Sequence, residues 1–198
     1  LKAWLRAHTE IFGVGFKNPE RIAGMASTKI ADLLCGEMKK TLEKERFVSL
    51  KRSLMEDMYP NIELLPGAKL LFNYLKDSGI PYGICSNAPR NFIESVMANK
   101  GLDADTLVSI ESTDRPKPYP DPYILACKNL GFTSPQLNKV VGFEDSRHGM
   151  RAIKQAGLYG VGILSFHQKE ELIACGAKKV FKSLQEARKD PDLFTAPI

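Results

Sequence analysis

An apolar run, Val140-Val141-Gly142-Phe143, ends abruptly in two adjacent carboxylates, Glu144 and Asp145, and a helical pattern follows at once. This junction restricts the chain to few folds. A strand, a sharp stop and a helix form the repeating unit of an open α/β sheet, where ligands bind outside the carboxyl ends of the parallel strands. Glu144 and Asp145 therefore fall where such a fold does its chemistry. Two neighbouring acids repel each other unless a cation or a proton holds them, and a hard divalent ion is the natural solution. Capping of the next helix by Asp145 or Ser146 accounts for one of these residues and leaves the pair unexplained.

The same alternation runs from Leu64 onwards. Pro66-Gly67 opens an amphipathic helix carrying Leu70, Leu71, Tyr74 and Leu75, and Gly79 closes it. Further strands are expected at Pro81–Cys85, Leu107–Ile110, Tyr159–Leu164 and Lys178–Phe181. A helix bearing Phe92, Ile93, Val96 and Met97 lies between the first two. Another begins with Asp121 as N-cap and Pro122 in the first turn, a short one opens at Ser134-Pro135, and Ser183 to Glu186 reads as a capping box for the last. Strands alternating with helices of this length imply βαβ units and a parallel sheet.

Residues 1–62 read differently. Leu1, Trp4, Leu5, His8, Ile11 and Phe12 recur at helical spacing, as do Ile30, Leu33, Leu34 and Met38, then Phe47, Leu50, Leu54 and Met58. No strand interrupts them, and Met58-Tyr59-Pro60-Asn61 marks a hinge. The expected organisation is a helical unit over 1–62 and an α/β unit over 63–198.

Composition excludes several classes. At 198 residues, 43% hydrophobic and 26% charged, the chain has the make-up of a globular protein. No apolar run approaches the ~20 residues of a membrane span, and nothing resembles a signal peptide. Cys35, Cys85, Cys127 and Cys175 stand alone, which suggests a reducing, cytoplasmic setting. The formal charge of +5 is scattered in pairs such as Lys39-Lys40 and Lys178-Lys179, which favours anionic small molecules over nucleic acid. His8, His148 and His167 lack ligand spacing for zinc, and the glycines of 157–162 run from helix into strand, the reverse of a dinucleotide fingerprint.

The polar residues at the strand ends belong together. Ser86-Asn87 ends the first strand, Lys117 sits in the Pro-rich loop after the second, and Glu144-Asp145 ends the third. In a parallel sheet all three open onto one edge. A hydroxyl, an ammonium and a carboxylate pair facing one pocket suit a phosphoryl group with its metal ion.

Ser86-Asn87, then Lys117-Pro118-x-Pro120-Asp121-Pro122, then Gly142-x-Glu144-Asp145-Ser146-x-x-Gly149 resembles the haloacid dehalogenase superfamily, and within it the β-phosphoglucomutase-like phosphatases with a helical cap. The resemblance implies a Rossmann-like parallel-sheet core with a small all-helical cap over 1–62. It implies an Mg²⁺-dependent phosphatase for a small phosphorylated metabolite such as a sugar phosphate, working through an aspartyl-phosphate. Ser86 matches the hydroxyl that grips the phosphoryl group, Asn87 its neighbour on the substrate side, and Lys117 the lysine that offsets nucleophile and phosphoryl charge. Glu144 and Asp145 match the acidic Mg²⁺ site. Gly24 and Ser27-Thr28-Lys29 fall where family caps reach substrate. A sugar phosphomutase is the variant with the same site, whereas a 2-haloacid dehalogenase uses no metal and does not suit Glu144-Asp145.

One departure stands out. The family's nucleophile lies in an Asp-x-Asp segment ending the first, central strand, ahead of the cap. Here Leu1-Lys2-Ala3-Trp4 already resembles the first cap helix, and Pro116 replaces a frequent glycine beside Lys117. The expectation is a fragment without its central strand. A chain that truly began at Leu1 would instead be a non-catalytic binding module.

Overall fold

A computed structural model describes residues 1–23, 25, 27–58 and 61–194. Gly24, the Tyr59-Pro60 part of the expected hinge and the last four residues of the chain lie outside them. Three helices make up the N-terminal part: α1 (Lys2–Phe12), α2 (Ser27–Glu37) and α3 (Lys44–Met58). Their apolar stripes close on one cluster that includes Trp4, Phe12, Ile22, Leu34, Phe47 and Leu54. Trp4 meets Phe47 edge-on with ring centroids 5.1 Å apart. His8 is buried against Phe12 and Phe47, with its Nδ1 2.8 Å from the Val14 carbonyl oxygen. It is a core residue.

The remainder alternates strands and helices. The strands are β1 (Gly83–Cys85), β2 (Thr106–Val108), β3 (Val141–Glu144), β4 (Tyr159–Ile163) and β5 (Lys179–Phe181). Between and around them run α4 (Ala68–Asp77), α5 (Arg90–Lys100), α6 (Asp121–Asn129), α7 (Arg147–Gln155), α8 (Lys169–Cys175) and α9 (Leu184–Ala187). All strand pairs are parallel: Cys85 faces Val108, Glu144 faces Gly162, and Ile163 faces Phe181. Two apolar layers cover the sheet. Met150, Ile153 and Leu172 anchor one, and Leu71, Leu184 and Leu193 anchor the other. With helices on both faces, Gly160–Ile163 of β4 is buried throughout, as expected of a parallel strand.

The parallel sheet comes in two pieces. β1 pairs only with β2, and β3 leads into β4 and β5, so no ladder joins β1 to β3. Their facing edges, Gly83–Cys85 and Val141–Phe143, border a cavity of about 720 Å³. Leu71 and Phe72 of α4 and Tyr123 and Cys127 of α6 complete its lining, so it is a long apolar slot between two strand edges. Unpaired backbone groups inside a protein cost about 1–3 kcal/mol each.

Local details depart from the sequence reading in physical ways. The second strand stops at Val108, because Ser109 and Ser112 form a reciprocal cap around a short 3₁₀ turn at Ile110–Ser112. Pro120, not Asp121, caps α6; the Asp121 carboxylate instead accepts from Arg115 Nε at 2.9 Å. Ser134–Lys139 is a 3₁₀ segment. Ser183 does cap α9, but the Glu186 carboxylate bonds the Lys182 N–H rather than Ser183's own. Gly67, before α4, has φ 87° and lies against the Gln185 backbone, where a Cβ would overlap. Gly67→Ala should therefore destabilise the domain by about 1–3 kcal/mol, from strain and overlap together. Urea unfolding of the complete protein reads the loss, and an unchanged midpoint would contradict this packing.

Candidate active site

Five side chains gather at the carboxyl edge of the sheet, and Lys117 is the hub. The Ser86 N–H donates to the Val108 carbonyl at 2.9 Å, carrying the β1–β2 pairing one residue further, and its Oγ accepts from the Ala88 N–H at 3.1 Å. This fixes the hydroxyl at the strand end. Asn87 clamps the next loop. Its Nδ2 donates to the Lys117 carbonyl at 3.0 Å, and its Oδ1 accepts from the Lys117 N–H at 3.1 Å. The clamp turns the Lys117 side chain inward, where Nζ donates to the Cys85 carbonyl at 3.2 Å and pairs with the Glu144 carboxylate.

Both ends of that pair are buried, Lys117 at 7% and Glu144 at 9% relative exposure. Such a pair is tolerable only if the remaining acceptor sites are filled, and they are. Tyr123 Oη donates to Glu144 Oε1 at 2.9 Å, while Ser146 Oγ, the Ser146 N–H and the Asp145 N–H donate to Oε2 at 3.0, 3.2 and 3.2 Å. Gly149 of α7 lies so close that a Cβ would overlap the Glu144 carboxylate. Burial alone would raise the Glu144 pKa. The Lys117 charge, with hydrogen bonds from Lys117, Tyr123 and Ser146, outweighs it and holds the carboxyl below its ordinary value. Burial and the Glu144 charge push the Tyr123 phenol far up, so it stays a donor.

Asp145 is the opposite case. Burial and the neighbouring Glu144 charge raise its pKa, against a lowering hydrogen bond from Ser165 Oγ at 2.9 Å. It is the acid at this edge with the least compensation from the protein. Burial raises the Cys85 thiol to about 12, which keeps it protonated at neutral pH and removes it as a nucleophile.

The helical part meets this edge through the segment before and into α2. His148, half-buried, lies beside Ala23, and burial followed by the Arg151 charge lowers its pKa. Lys29 is exposed, with its ammonium 5.8 Å from the Tyr119 ring centroid, two residues beyond Lys117. Thus Ser86, Lys117, Glu144 and Asp145 come together as expected, Asn87 is engaged with the Lys117 backbone, and Lys29 faces the Pro-rich loop. Tyr123, Ser165 and His148 were missed. Ser165 follows a strand end just as Ser86 does, and the same rule would have found it. Asp103-Ala104-Asp105 also reads Asp-x-Asp, but it precedes β2 at the opposite edge, where Lys76 Nζ and Tyr82 Oη engage Asp103 at 2.5 and 2.7 Å.

Among the described residues no group of three or more His, Cys, Asp or Glu side chains converges, and no helix is long and apolar enough to cross a membrane.

A family model described as haloacid dehalogenase-like hydrolase matches residues 16–157, and the chain belongs to that family. Validoxylamine A 7'-phosphate phosphatase of Streptomyces hygroscopicus subsp. limoneus is 31% identical over 131 residues, covering 65% of this chain. The chain spans 59% of the length of that relative. Among solved structures, a hydrolase from Pseudomonas syringae superposes with a TM-score of 0.84 at 21% identity, over 98% of this chain and 90% of its own. The β-phosphoglucomutase of Clostridium difficile superposes with a TM-score of 0.75 at 24% identity, over 93% of this chain and 83% of its own. Both structures share the fold.

Lys117→Met leaves Glu144 buried without its counter-charge and should cost about 3–5 kcal/mol. The double variant Lys117→Met/Glu144→Gln should recover a large part of that loss. Chemical denaturation of the complete protein measures both, and a fully additive double variant would contradict the coupling described.

Proposed function

We propose that the complete protein is a phosphatase that hydrolyses the monoester of a small phosphorylated metabolite. One observation carries this: the Lys117 ammonium sits between the end of β1, where Ser86 emerges, and the acidic end of β3. A phosphoryl group at that edge meets a hydroxyl donor and a fixed positive charge, the preorganised electrostatics that phosphoryl transfer needs. The relative named as a phosphatase supports the same reading. In it the helices of residues 1–62 act as a cap, with Lys29 on the substrate side.

The residues fit an Mg²⁺ ion through Asp145, whose charge the protein leaves least compensated, while Lys117, Tyr123 and Ser146 occupy the Glu144 oxygens. When bound, such an ion polarises phosphoryl oxygens and orients the ester. Glu144 then serves by holding Lys117 in place.

The nucleophile belongs, in this reading, to an extended segment seated in the slot between β1 and β3. The slot supports it by shape and chemistry: two facing parallel edges, apolar walls on both faces, and a carboxyl end flanked by Ser86 and Asp145. A strand buried on both faces is a continuous apolar run. An aspartate at its end would attack phosphorus, forming an acyl phosphate as the P–O bond to the alcohol breaks and the alcohol takes up a proton. Water would then release phosphate.

In the complete protein, Asp145→Asn should abolish divalent-ion-dependent phosphate release while circular dichroism stays unchanged; full activity in that variant would remove the metal reading. The slot-facing amides of Gly83, Cys85, Val141 and Phe143 should resist hydrogen exchange in the complete protein and exchange rapidly in these 198 residues alone. Equal protection in both would sink the slot reading.

A further inference from the structure

The loop of residues 164–168, between β4 and α8, reaches the catalytic edge and is fastened there at two points. The first is Ser165, whose Oγ donates to Asp145 Oδ2 at 2.9 Å. Among the described residues it is the one side-chain donor that Asp145 has. Glu144, one residue earlier, accepts from the side chains of Lys117, Tyr123 and Ser146 and from two backbone N–H groups. The terminal torsion of a carboxylate is broad. With a single side-chain donor, the direction of the Asp145 carboxylate therefore depends on that donor. Ser165 is itself exposed, so burial does not fix its hydroxyl.

The second point steadies the loop. His167, two residues on, has a fully buried side chain whose Nδ1 lies 3.5 Å from Glu171 Oε2. The same oxygen accepts from the Gln168 N–H at 3.0 Å, at the start of α8. The other Glu171 oxygen accepts from Arg147 Nη1 at 3.2 Å, and Arg147 opens α7 two residues after Asp145. On the near side of the loop, the Leu164 N–H donates to the Phe181 carbonyl at 2.9 Å and extends the β4–β5 pairing. Ser165 thus stands between a strand hydrogen bond and a buried imidazole. A partly exposed ion pair such as Arg147–Glu171 adds little to stability. What it fixes is the spacing of two loops, the one that carries Asp145 and the one that carries Ser165.

We propose that Ser165 is a positioning residue for Asp145: its hydroxyl holds Oδ2 and fixes the direction of the carboxylate, and with it the affinity for a divalent ion, while Arg147, Glu171 and His167 brace the loop behind it. The proposal rests on the metal role proposed for Asp145 and extends it to a fourth loop of the sheet edge. Groups that hydrogen-bond a ligating carboxylate orient it, and losing one typically costs roughly 10- to 100-fold in metal affinity.

Calorimetric titration of the complete protein with Mg²⁺ alone tests this. Ser165→Ala should weaken Mg²⁺ binding by about tenfold or more. Ser165→Thr, which keeps the hydroxyl, should retain most of the wild-type affinity, and Glu171→Ala should fall between the two. The Mg²⁺ concentration that half-saturates phosphate release should rise in the same order. The thermal midpoint of metal-free Ser165→Ala should stay at the wild-type value; a fall would mark Ser165 as merely structural and overturn the proposal. Wild-type affinity in Ser165→Ala, or an equal loss in Ser165→Thr, overturns it as well. Should the wild type bind no Mg²⁺, or Asp145→Asn bind it as tightly as the wild type, the metal reading falls. Crystal structures of the wild type and Ser165→Ala then decide on Ser165. An Asp145 carboxylate that changes rotamer without the hydroxyl supports the positioning role, and an unmoved one overturns it.

Discussion

The ion pair between Lys117 and Glu144 is the interaction on which the rest of this structure depends. No backbone ladder connects β1 to β3. At the carboxyl end of the slot the crossing is made by side chains: Lys117 bonds the Cys85 carbonyl at the end of β1 and pairs with Glu144 at the end of β3. The same ammonium ties the Pro-rich loop to both. Taking two charges out of water costs several kcal/mol per ion, and only full satisfaction of the remaining polar atoms makes such a pair tenable. Tyr123, Ser146 and the Asn87 clamp supply that satisfaction.

The pair also divides labour between two adjacent acids. Lys117, Tyr123 and Ser146 keep Glu144 ionised and internally engaged. Asp145, one residue on, is left with Ser165 and a raised pKa. Neighbouring carboxylates whose surroundings push their pKa values apart mark distinct roles. Here one is tied to the Lys117 ammonium, and the other carries the less compensated charge, on which the proposed metal role rests. The fold creates this difference simply by ending a strand between the two residues.

Much of this was legible in the sequence, for identifiable reasons. Apolar runs closed by polar residues give strand ends, so Ser86, Lys117, Glu144 and Asp145 could be placed on one edge before any coordinates. What remained hidden depends on non-local partners. Nothing near Tyr123 in sequence indicates that its hydroxyl reaches Glu144, and nothing near Asn87 indicates that its amide grips the Lys117 backbone. The cap of α6 went wrong because Arg115 competes for Asp121, a contact set by loop geometry.

The most direct measurement is mass-spectrometric mapping of the phosphorylated enzyme, trapped by acid quench during turnover of a phosphate monoester by the complete protein. The account predicts a hydroxylamine-sensitive phosphoryl group on an aspartate whose segment pairs with both β1 and β3, beside Ser86 and Lys117. Turnover without such a species, or a phosphoryl group on any residue of Leu1–Phe194, would contradict it.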